Sequence, residues 1–230
     1  MFRIIRLLMN TISIPLTVVV YFCIAFMCIF NNSGYNDVIY GIENVESVSE
    51  ISIKVLAGWI LILFLPYIIN GIILERSNTV KIFCYVRTRS KALYDRSVHI
   101  VCMINSMLWG IIICSVHLSF DRKHFGELFL VLVSHIIMWT SVMLFLYCIT
   151  NKATISIVLA PLICVASIGI SCNNERFSNY SISSIGMLYR GTIYNDNGLS
   201  PSIQVIINIV ISVILIMSDY VIDEFHGGEV

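Results

Sequence analysis

Polar side chains within long apolar stretches are the residues of this sequence best suited to chemistry. They are costly in lipid, so each one raises the question of a substrate, a proton or a partner helix. The candidates are Asn70, His99, Asn105, His117, His135, Asn208 and Asp219. Asn105, His135 and Asn208 lie deepest, and two interpretations are open for them: they bond a neighbouring helix, or they line a substrate path.

A cysteine nucleophile is an alternative chemistry. Cys84 lies among Lys81, Arg87 and Arg89, and nearby cations lower the pKa of a thiol. His99 follows in the chain and is a possible base, which together predicts a membrane-embedded peptidase. The membrane peptidases that trim quorum-sensing peptides carry a histidine before the cysteine in a glycine-bearing context, and this sequence does not. An ordinary cysteine on a loop helix is the simpler interpretation.

The sequence contains no nucleotide-binding or hydrolase motif. It has no GxxxxGK[ST] phosphate loop and no HExxH, GxSxG or CxxC motif. We therefore expect no catalytic residue, no metal site and no cofactor on this chain. Any work that needs energy must be driven by a partner or by an ion gradient.

The composition predicts that lipid surrounds the outer surface. Hydrophobic residues make up 58% of the chain and charged residues 12%, whereas ordinary soluble domains carry about 25% charged residues. The formal net charge is zero, so no overall field recruits nucleic acid. Most of the eight cysteines lie in apolar runs and are expected as small packing residues. A disulfide between Cys28 and Cys172 near the outer surface is the alternative for that pair.

Six apolar stretches are long enough to cross a bilayer, which takes about 20 helical residues. They cover residues 11–30, 55–74, 98–120, 128–149, 153–172 and 202–222. The sequence thus predicts an all-α, polytopic membrane protein with six transmembrane helices in a single domain over residues 1–230. Pro15, Pro66 and Pro161 fall within these stretches, and neighbouring helices are expected to satisfy the carbonyls that they free.

The distribution of Lys and Arg predicts the orientation. Nine of the 14 basic residues lie on the side that carries both termini and the connection 75–97, and five lie on the opposite side. Both termini are therefore expected in the cytoplasm. The connection 75–97 is then the only large cytoplasmic segment, and residues 173–201 form a long polar outer loop.

The basic connection reads TVKIFCYVRTRSKALYDRS over residues 79–97 and has a moderate amphipathic pattern. Two interpretations are open: a basic loop held at anionic lipid headgroups, or an interfacial helix that docks onto a cytoplasmic partner. The docking hypothesis assigns Ile82, Val86, Arg87, Arg89, Lys91 and Tyr94.

This layout resembles the membrane subunit of a type-2 ABC exporter, in particular the small six-span permeases of bacteriocin and lantibiotic export or immunity systems. The shared features are a short basic N-terminus, six spans, cytoplasmic termini, a basic connection between spans two and three, and a long polar outer segment before span six. The run VRTRSKALY at residues 86–94 is similar to the R-x-x-S-x-x-x-W/Y stretch that such permeases often carry there. Its aromatic residue is Tyr94.

The resemblance implies a specific transport machine in a bacterial plasma membrane. A separate cytoplasmic ABC ATP-binding subunit, carrying ATP and Mg²⁺, would dock on residues 79–97. Two permease chains, identical or related, would enclose the path of a peptide, a lipid or another amphipathic substrate. Residues 173–201 would partly re-enter or lid that path. A non-transporting scaffold or sensor subunit is the alternative from another class.

Overall fold

The computed structural model describes residues 5–6, 17–22, 35–42, 51–88, 91–118, 124–172 and 179–227. Over these residues the protein is all-α, without a β-strand and with one isolated bridge between Gly191 and Leu199, which confirms the predicted class. The helices are α1 (Tyr35–Tyr40), α2 (Ile53–Thr88), α3 (Lys91–Leu118), α4 (Phe125–Thr150), α5 (Ala153–Cys172) and α6 (Pro201–Gly227). Two 3-10 turns, Ser184–Gly186 and Leu188–Arg190, precede α6.

Five of these helices are long and apolar enough to cross a membrane. The qualifying stretches are Ile53–Lys81, Leu93–His117, Phe125–Thr150, Ala153–Ser171 and Pro201–Ser218. They correspond to the last five predicted spans. The first predicted span, residues 11–30, falls largely outside the described residues, of which 17–22 are helical. The length and composition of the helices thus indicate a membrane protein.

The connection 75–97 differs from both sequence interpretations, because most of it belongs to the two adjoining helices. α2 runs for 36 residues, which is about 54 Å at 1.5 Å per residue, whereas the hydrocarbon core of a bilayer is about 30 Å thick. α3 begins at Lys91, so the described part of the connection is a helical hairpin and not a separate interfacial helix. The stretch contains no Gly or Pro, so no helix-breaking residue ends α2 at the membrane surface.

Helix α4 is the centre of the bundle. It contacts α2, α3, α5 and α6, and 72% of its apolar span is buried, against 17% for α6. His124 and Asn151 flank it in the left-handed backbone region, each with φ of 54°. The backbone N–H of Asn151 donates to Tyr147 O at 2.8 Å and closes the helix. α4 therefore carries side chains toward every other long helix.

Pro66 lies inside α2, and its ring nitrogen has no hydrogen to donate to the carbonyl of Ile62 one turn earlier. The indole N–H of Trp109 on α3 donates to that carbonyl at 2.6 Å. The side-chain amide of Asn105 donates to the carbonyl of Pro66 itself at 3.3 Å. A neighbouring helix thus satisfies the freed carbonyl at Pro66, as the sequence predicted.

We expect Trp109→Phe to lower stability chiefly through the loss of this donor. A buried carbonyl left without a partner costs about 1–3 kcal/mol, so the unfolding temperature of the purified chain should fall. Adding Pro66→Ala should remove most of the penalty, because alanine restores a backbone N–H for Ile62. An undiminished penalty in the Pro66→Ala chain would show that this hydrogen bond is not what Trp109 contributes.

Candidate functional site

The outer polar cluster, named for its position below the predicted outer loop, consists of Ser134, His135, Trp139 and Asn208, where α4 faces α6. His135 is fully buried; the indole N–H of Trp139 donates to its Nε2 at 3.0 Å, and its Nδ1 lies 3.2 Å from Asn208 Oδ1. Because the indole nitrogen can only donate, Nε2 accepts, and the hydrogen of the neutral ring lies on Nδ1 and is donated to Asn208. The amide of Asn208 donates to Ser134 Oγ at 3.2 Å. Two of the three predicted path residues, His135 and Asn208, are therefore directly bonded to each other.

The third predicted path residue, Asn105, belongs to a central polar cluster of Tyr21, Asn70, Asn105, Ser106 and Thr140. Its amide donates to Asn70 Oδ1 at 2.8 Å and to Tyr21 OH at 3.3 Å. The amide of Asn70 donates to Ser106 Oγ at 3.0 Å, and the hydroxyl of Thr140 donates to the same oxygen at 2.8 Å. All three predicted residues thus bond neighbouring helices, in agreement with the first interpretation. Their contact with a substrate stays a prediction.

A cleft of about 50 Å³ lies at the base of the hairpin, where α2, α3 and α4 meet. The hydroxyl of Tyr147 on α4 donates to Asn78 Oδ1 on α2 at 2.9 Å, and Lys81 Nζ lies 3.9 Å from Asp95 Oδ1. The first contact ties the hairpin to the central helix, and the second joins the two helices of the hairpin to each other. The lining residues are Ser77, Asn78, Lys81, Asp95, Val98, His99, Tyr147, Cys148 and Asn151.

Five of the six residues predicted to dock a partner fall on the hairpin, and the other, Arg89, lies outside the described residues. For four of the five, the structure describes the helical backbone only: Ile82, Val86, Arg87 and Lys91. The fifth, Tyr94, is 1% exposed, and its hydroxyl donates to the carbonyl of Ser77 at 2.6 Å. The Tyr94 ring therefore packs α3 against α2 and offers no surface to a partner, which corrects its predicted role. The docking hypothesis continues on the other five residues.

The cysteine hypotheses fall mostly outside the described side chains. For Cys84 and Cys172 the structure describes only the helical backbone, and Cys28 lies outside the described residues. The nucleophile and disulfide alternatives therefore stay untested predictions. Cys102, Cys114 and Cys164 are free and buried, as expected for packing residues. Among the described residues, no three His, Cys, Asp or Glu side chains are grouped to hold a metal ion.

Residues 179–200, here called the inserted segment, enter the helix bundle from the end at which α5 closes. The hydroxyl of Ser183 donates to the carbonyl of Cys164 at 3.0 Å, a point about 12 Å along α5 from its C-terminal end at 1.5 Å per residue. Gly186 lies so close to the ring of His135 that a Cβ there would overlap it. The amide of Gln204 donates to the carbonyl of Met187 at 3.2 Å. The inserted segment thus reaches the outer polar cluster.

Arg190 is a fully buried cation within the inserted segment. Its Nε–H donates to the carbonyl of Ile42 at 3.0 Å. Its Nη1 donates to Ser184 Oγ at 2.7 Å and to Ser171 Oγ at 3.4 Å. A guanidinium is stable out of water only where several acceptors converge on it. Arg190 therefore joins the inserted segment to α5 and to the chain just after α1.

Protein-family models, curated proteins and solved structures provide no match to this chain. Its function is therefore inferred from its own residues.

Four residues of the outer polar cluster's surroundings and of the inserted segment were absent from the sequence prediction: Trp59, Gly186, Arg190 and Gln204. Trp59 stacks on the ring of His135 with centroids 6.2 Å apart. Trp59 Nε1 and Gln204 Oε1 have no hydrogen-bond partner among the residues that the structure describes. Only Gln204 carried a signal that could have found it, because it is a polar residue within a predicted span. Within the described part of the chain, the donor Trp59 Nε1 thus lies beside the neutral imidazole, and the acceptor Gln204 Oε1 lies beside the inserted segment.

Proposed function

We propose that this chain is the membrane-spanning permease subunit of an ATP-driven exporter of the ABC type. In this proposal the chain crosses a bacterial plasma membrane six times, with both termini in the cytoplasm. A separate cytoplasmic subunit binds ATP and Mg²⁺ and hydrolyses the nucleotide. Two permease chains, identical or related, enclose the path of a peptide, a lipid or another amphipathic substrate, with bacteriocin export or immunity as one setting.

The inserted segment is the observation that carries the proposal. It enters the bundle immediately before the last helix and covers His135 of the outer polar cluster, and the same helix α4 carries Thr140 of the central polar cluster. A transport path needs polar groups at depth and a closure at one end, and these residues supply both. The same position in the chain is where the resemblance to exporter permeases implies a segment that re-enters or lids the path.

The helical hairpin of α2 and α3 gives a second line of support. Its base is tied to α4 through Tyr147 and Asn78, and its two helices are tied to each other through Tyr94 and Ser77. A rigid hairpin transmits a force from a docked partner to the central helix, whereas a flexible loop would absorb it. The hairpin is also where the sequence places most of its cytoplasmic positive charge.

A non-transporting scaffold or sensor subunit is the second candidate. It is favoured by the hydrogen bonding of His135, Asn208 and Asn105, because each of them bonds a neighbouring helix as purely structural residues do. The membrane-embedded peptidase remains a third hypothesis that rests on Cys84 and His99 alone.

We expect the purified chain alone to hydrolyse no ATP, and hydrolysis to appear only with an ABC ATP-binding subunit. Ile82→Asp or Val86→Asp should lower co-purification of the two subunits roughly tenfold or more, because buried apolar anchors at interfaces are each worth about 2 kcal/mol or more. Arg87→Ala is the matched control with little expected effect, since a single exposed charge contributes about 1 kcal/mol or less.

Two results would contradict the proposal. One is ATP hydrolysis by this chain in the absence of any partner. The other is wild-type co-purification of correctly inserted Ile82→Asp and Val86→Asp chains, which would leave the hairpin as a topology anchor only.

A further inference from the structure

We propose that the cleft at the base of the hairpin binds the headgroup of one phospholipid, with its phosphate at Lys81 and a primary ammonium at Asp95, as in phosphatidylethanolamine. The inference goes beyond the proposed function, because it concerns a lipid that stays on this chain and not a substrate that the chain moves. Three features of the described residues carry it: the depth of the cleft, its pair of opposite charges, and its size.

The cleft lies where three helices leave their apolar stretches. The apolar stretch of α2 ends at Lys81, that of α3 begins at Leu93, and that of α4 ends at Thr150. Lys81, Asp95 and Asn151 line the cleft, so each helix contributes a lining residue within two positions of its boundary. A bilayer around these stretches has its headgroups at this level, next to the hydrocarbon core. A lipid headgroup is therefore the group that the membrane itself brings to the cleft.

The cleft carries one basic and one acidic side chain that lie close together. Lys81 Nζ is 3.9 Å from Asp95 Oδ1, and the two side chains are 32% and 18% exposed. A hydrogen bond between an ammonium and a carboxylate is about 2.7–2.9 Å long, so this ion pair alone saturates neither group. An ammonium has three donors and a carboxylate about four acceptor sites. Both groups can therefore bind a headgroup and keep further contacts within the protein.

The balance of charge in the cleft favours a zwitterionic headgroup with a primary amine. The charges of Lys81 and Asp95 cancel, and no other lining side chain carries a permanent charge. An anionic headgroup of the glycerol type would bring a net negative charge beside Asp95. A choline headgroup has the right charges, but its trimethylammonium has no N–H to donate to the carboxylate. An ethanolamine headgroup carries an ammonium with three N–H donors, separated from its phosphate by only two carbons.

The size of the cleft fits a phosphate group. Its volume is about 50 Å³, and one water molecule needs about 10–15 Å³, so the cleft holds a group about as large as four waters. Tyr147 donates to Asn78 Oδ1 at 2.9 Å, which orients that amide at the edge of the cleft. Ile149 follows the lining residue Cys148 in the chain and is 53% exposed, so an apolar surface for an acyl chain begins beside the cleft. A bound headgroup contacts α2, α3 and α4 together and so stabilises the hairpin against the central helix.

Native mass spectrometry of the purified chain tests the site directly. The delipidated protein is offered equal amounts of phosphatidylethanolamine, phosphatidylcholine and phosphatidylglycerol with identical acyl chains. Ammonium acetate at about 0.5 M screens the exposed basic residues, which would otherwise attract the anionic lipid. We expect one phosphatidylethanolamine per chain, bound about tenfold or more in preference to either competitor, because a hydrogen bond to a charged group is worth at least that factor. This lipid should also raise the unfolding temperature by roughly 5 °C at about 100 times its Kd.

Two variants and one control assign the preference to the cleft. Asp95→Asn should bring the ratio of phosphatidylethanolamine to phosphatidylcholine toward one, because the ammonium loses its carboxylate. Lys81→Met should weaken binding of all three lipids about tenfold, because the phosphate loses its cation. Lys152→Met is the matched control: it removes the same charge from an exposed residue that does not line the cleft, and it should leave the ratio unchanged.

Three results would overturn the proposal. Equal binding of the three lipids to the wild-type chain would show that the cleft reads no headgroup, whether or not the variants fold. A preference for phosphatidylglycerol would reduce the effect to a diffuse attraction of lipid by the basic hairpin. An unchanged ratio in folded Asp95→Asn would place the lipid elsewhere on the chain.

Glycerophosphoethanolamine, which has the same headgroup without acyl chains, separates a lipid from a soluble phosphate ester. At equal concentration it should displace little of the bound phosphatidylethanolamine, because it lacks the apolar contact beside the cleft. Displacement as effective as that by the lipid itself would make the ligand a soluble compound and overturn the lipid assignment. None of these measurements involves ATP, a partner subunit or transport, so their outcome is independent of the proposed function.

Discussion

Arg190→Ala is expected to destabilise the chain by about 3 kcal/mol, far more than removal of an exposed basic residue. The guanidinium donates to the carbonyl of Ile42 and to the hydroxyls of Ser184 and Ser171. The serine hydroxyls can turn to other acceptors, as Ser171 already does with Ile168. The main costs are therefore the unpaired carbonyl of Ile42 and the cavity left by a large, fully buried side chain.

Two further substitutions separate these costs. Arg190→Met fills much of the cavity but donates nothing, so its penalty measures the lost hydrogen bonds. Arg190→Lys keeps the charge but replaces a planar fork of donors with a point charge, and should fall between methionine and wild type. Unfolding of the purified chain by denaturant, followed by tryptophan fluorescence, measures all three.

The exposed Lys152 provides the control for Arg190. Lys152→Ala should change the free energy of unfolding by less than about 0.5 kcal/mol. If Arg190→Ala were no more destabilising than Lys152→Ala, the arginine would be solvated in a surface loop. The inserted segment would then not enter the bundle as described.

The helices of this protein could be predicted from sequence because few backbone conformations are stable in lipid. Backbone groups in a bilayer must be satisfied within the segment, so an apolar stretch of sufficient length is a helix whatever surrounds it. This reasoning found the five described spans and also anticipated that a neighbour would serve the carbonyl freed by Pro66. It did not find the C-terminal end of α2 at Thr88, because loss of hydropathy marks where lipid ends and not where a helix ends.

The candidate site was only half predictable for a related reason. His135 and Asn208 could be found singly, because a polar residue in an apolar stretch is conspicuous. Their direct bond could not, since residues far apart in the chain leave no periodic signal. Gly186 and Arg190 gave no signal at all. The sequence of a polar loop that contains a glycine and an arginine does not show whether the loop is solvated or folded into the bundle.

Replacing His135 alone should be damaging for reasons that concern its neighbours. His135→Leu leaves the indole N–H of Trp139 and Oδ1 of Asn208 without partners, and each unpaired buried group costs about 1–3 kcal/mol. We therefore expect a loss of about 3 kcal/mol in the free energy of unfolding. Such a result alone would not distinguish a structural role of His135 from a role in a substrate path. The chain would lose stability in both cases.

The triple substitution His135→Leu, Trp139→Phe and Asn208→Leu makes that distinction. It removes all three polar groups of this bonded set, and Ser134 keeps its bond to the carbonyl of Val131. Most of the lost stability should therefore return, as it does when a buried polar set is replaced by apolar residues of similar size. Folding restored in this way allows function to be measured. If the outer polar cluster lines the substrate path, export by the stable triple variant with its ATPase should still fall roughly tenfold or more, which corresponds to loss of about 1.4 kcal/mol of contact with the substrate. Export at the wild-type rate would show that the cluster only holds α4 against α6, and His135 and Asn208 would be withdrawn from the path.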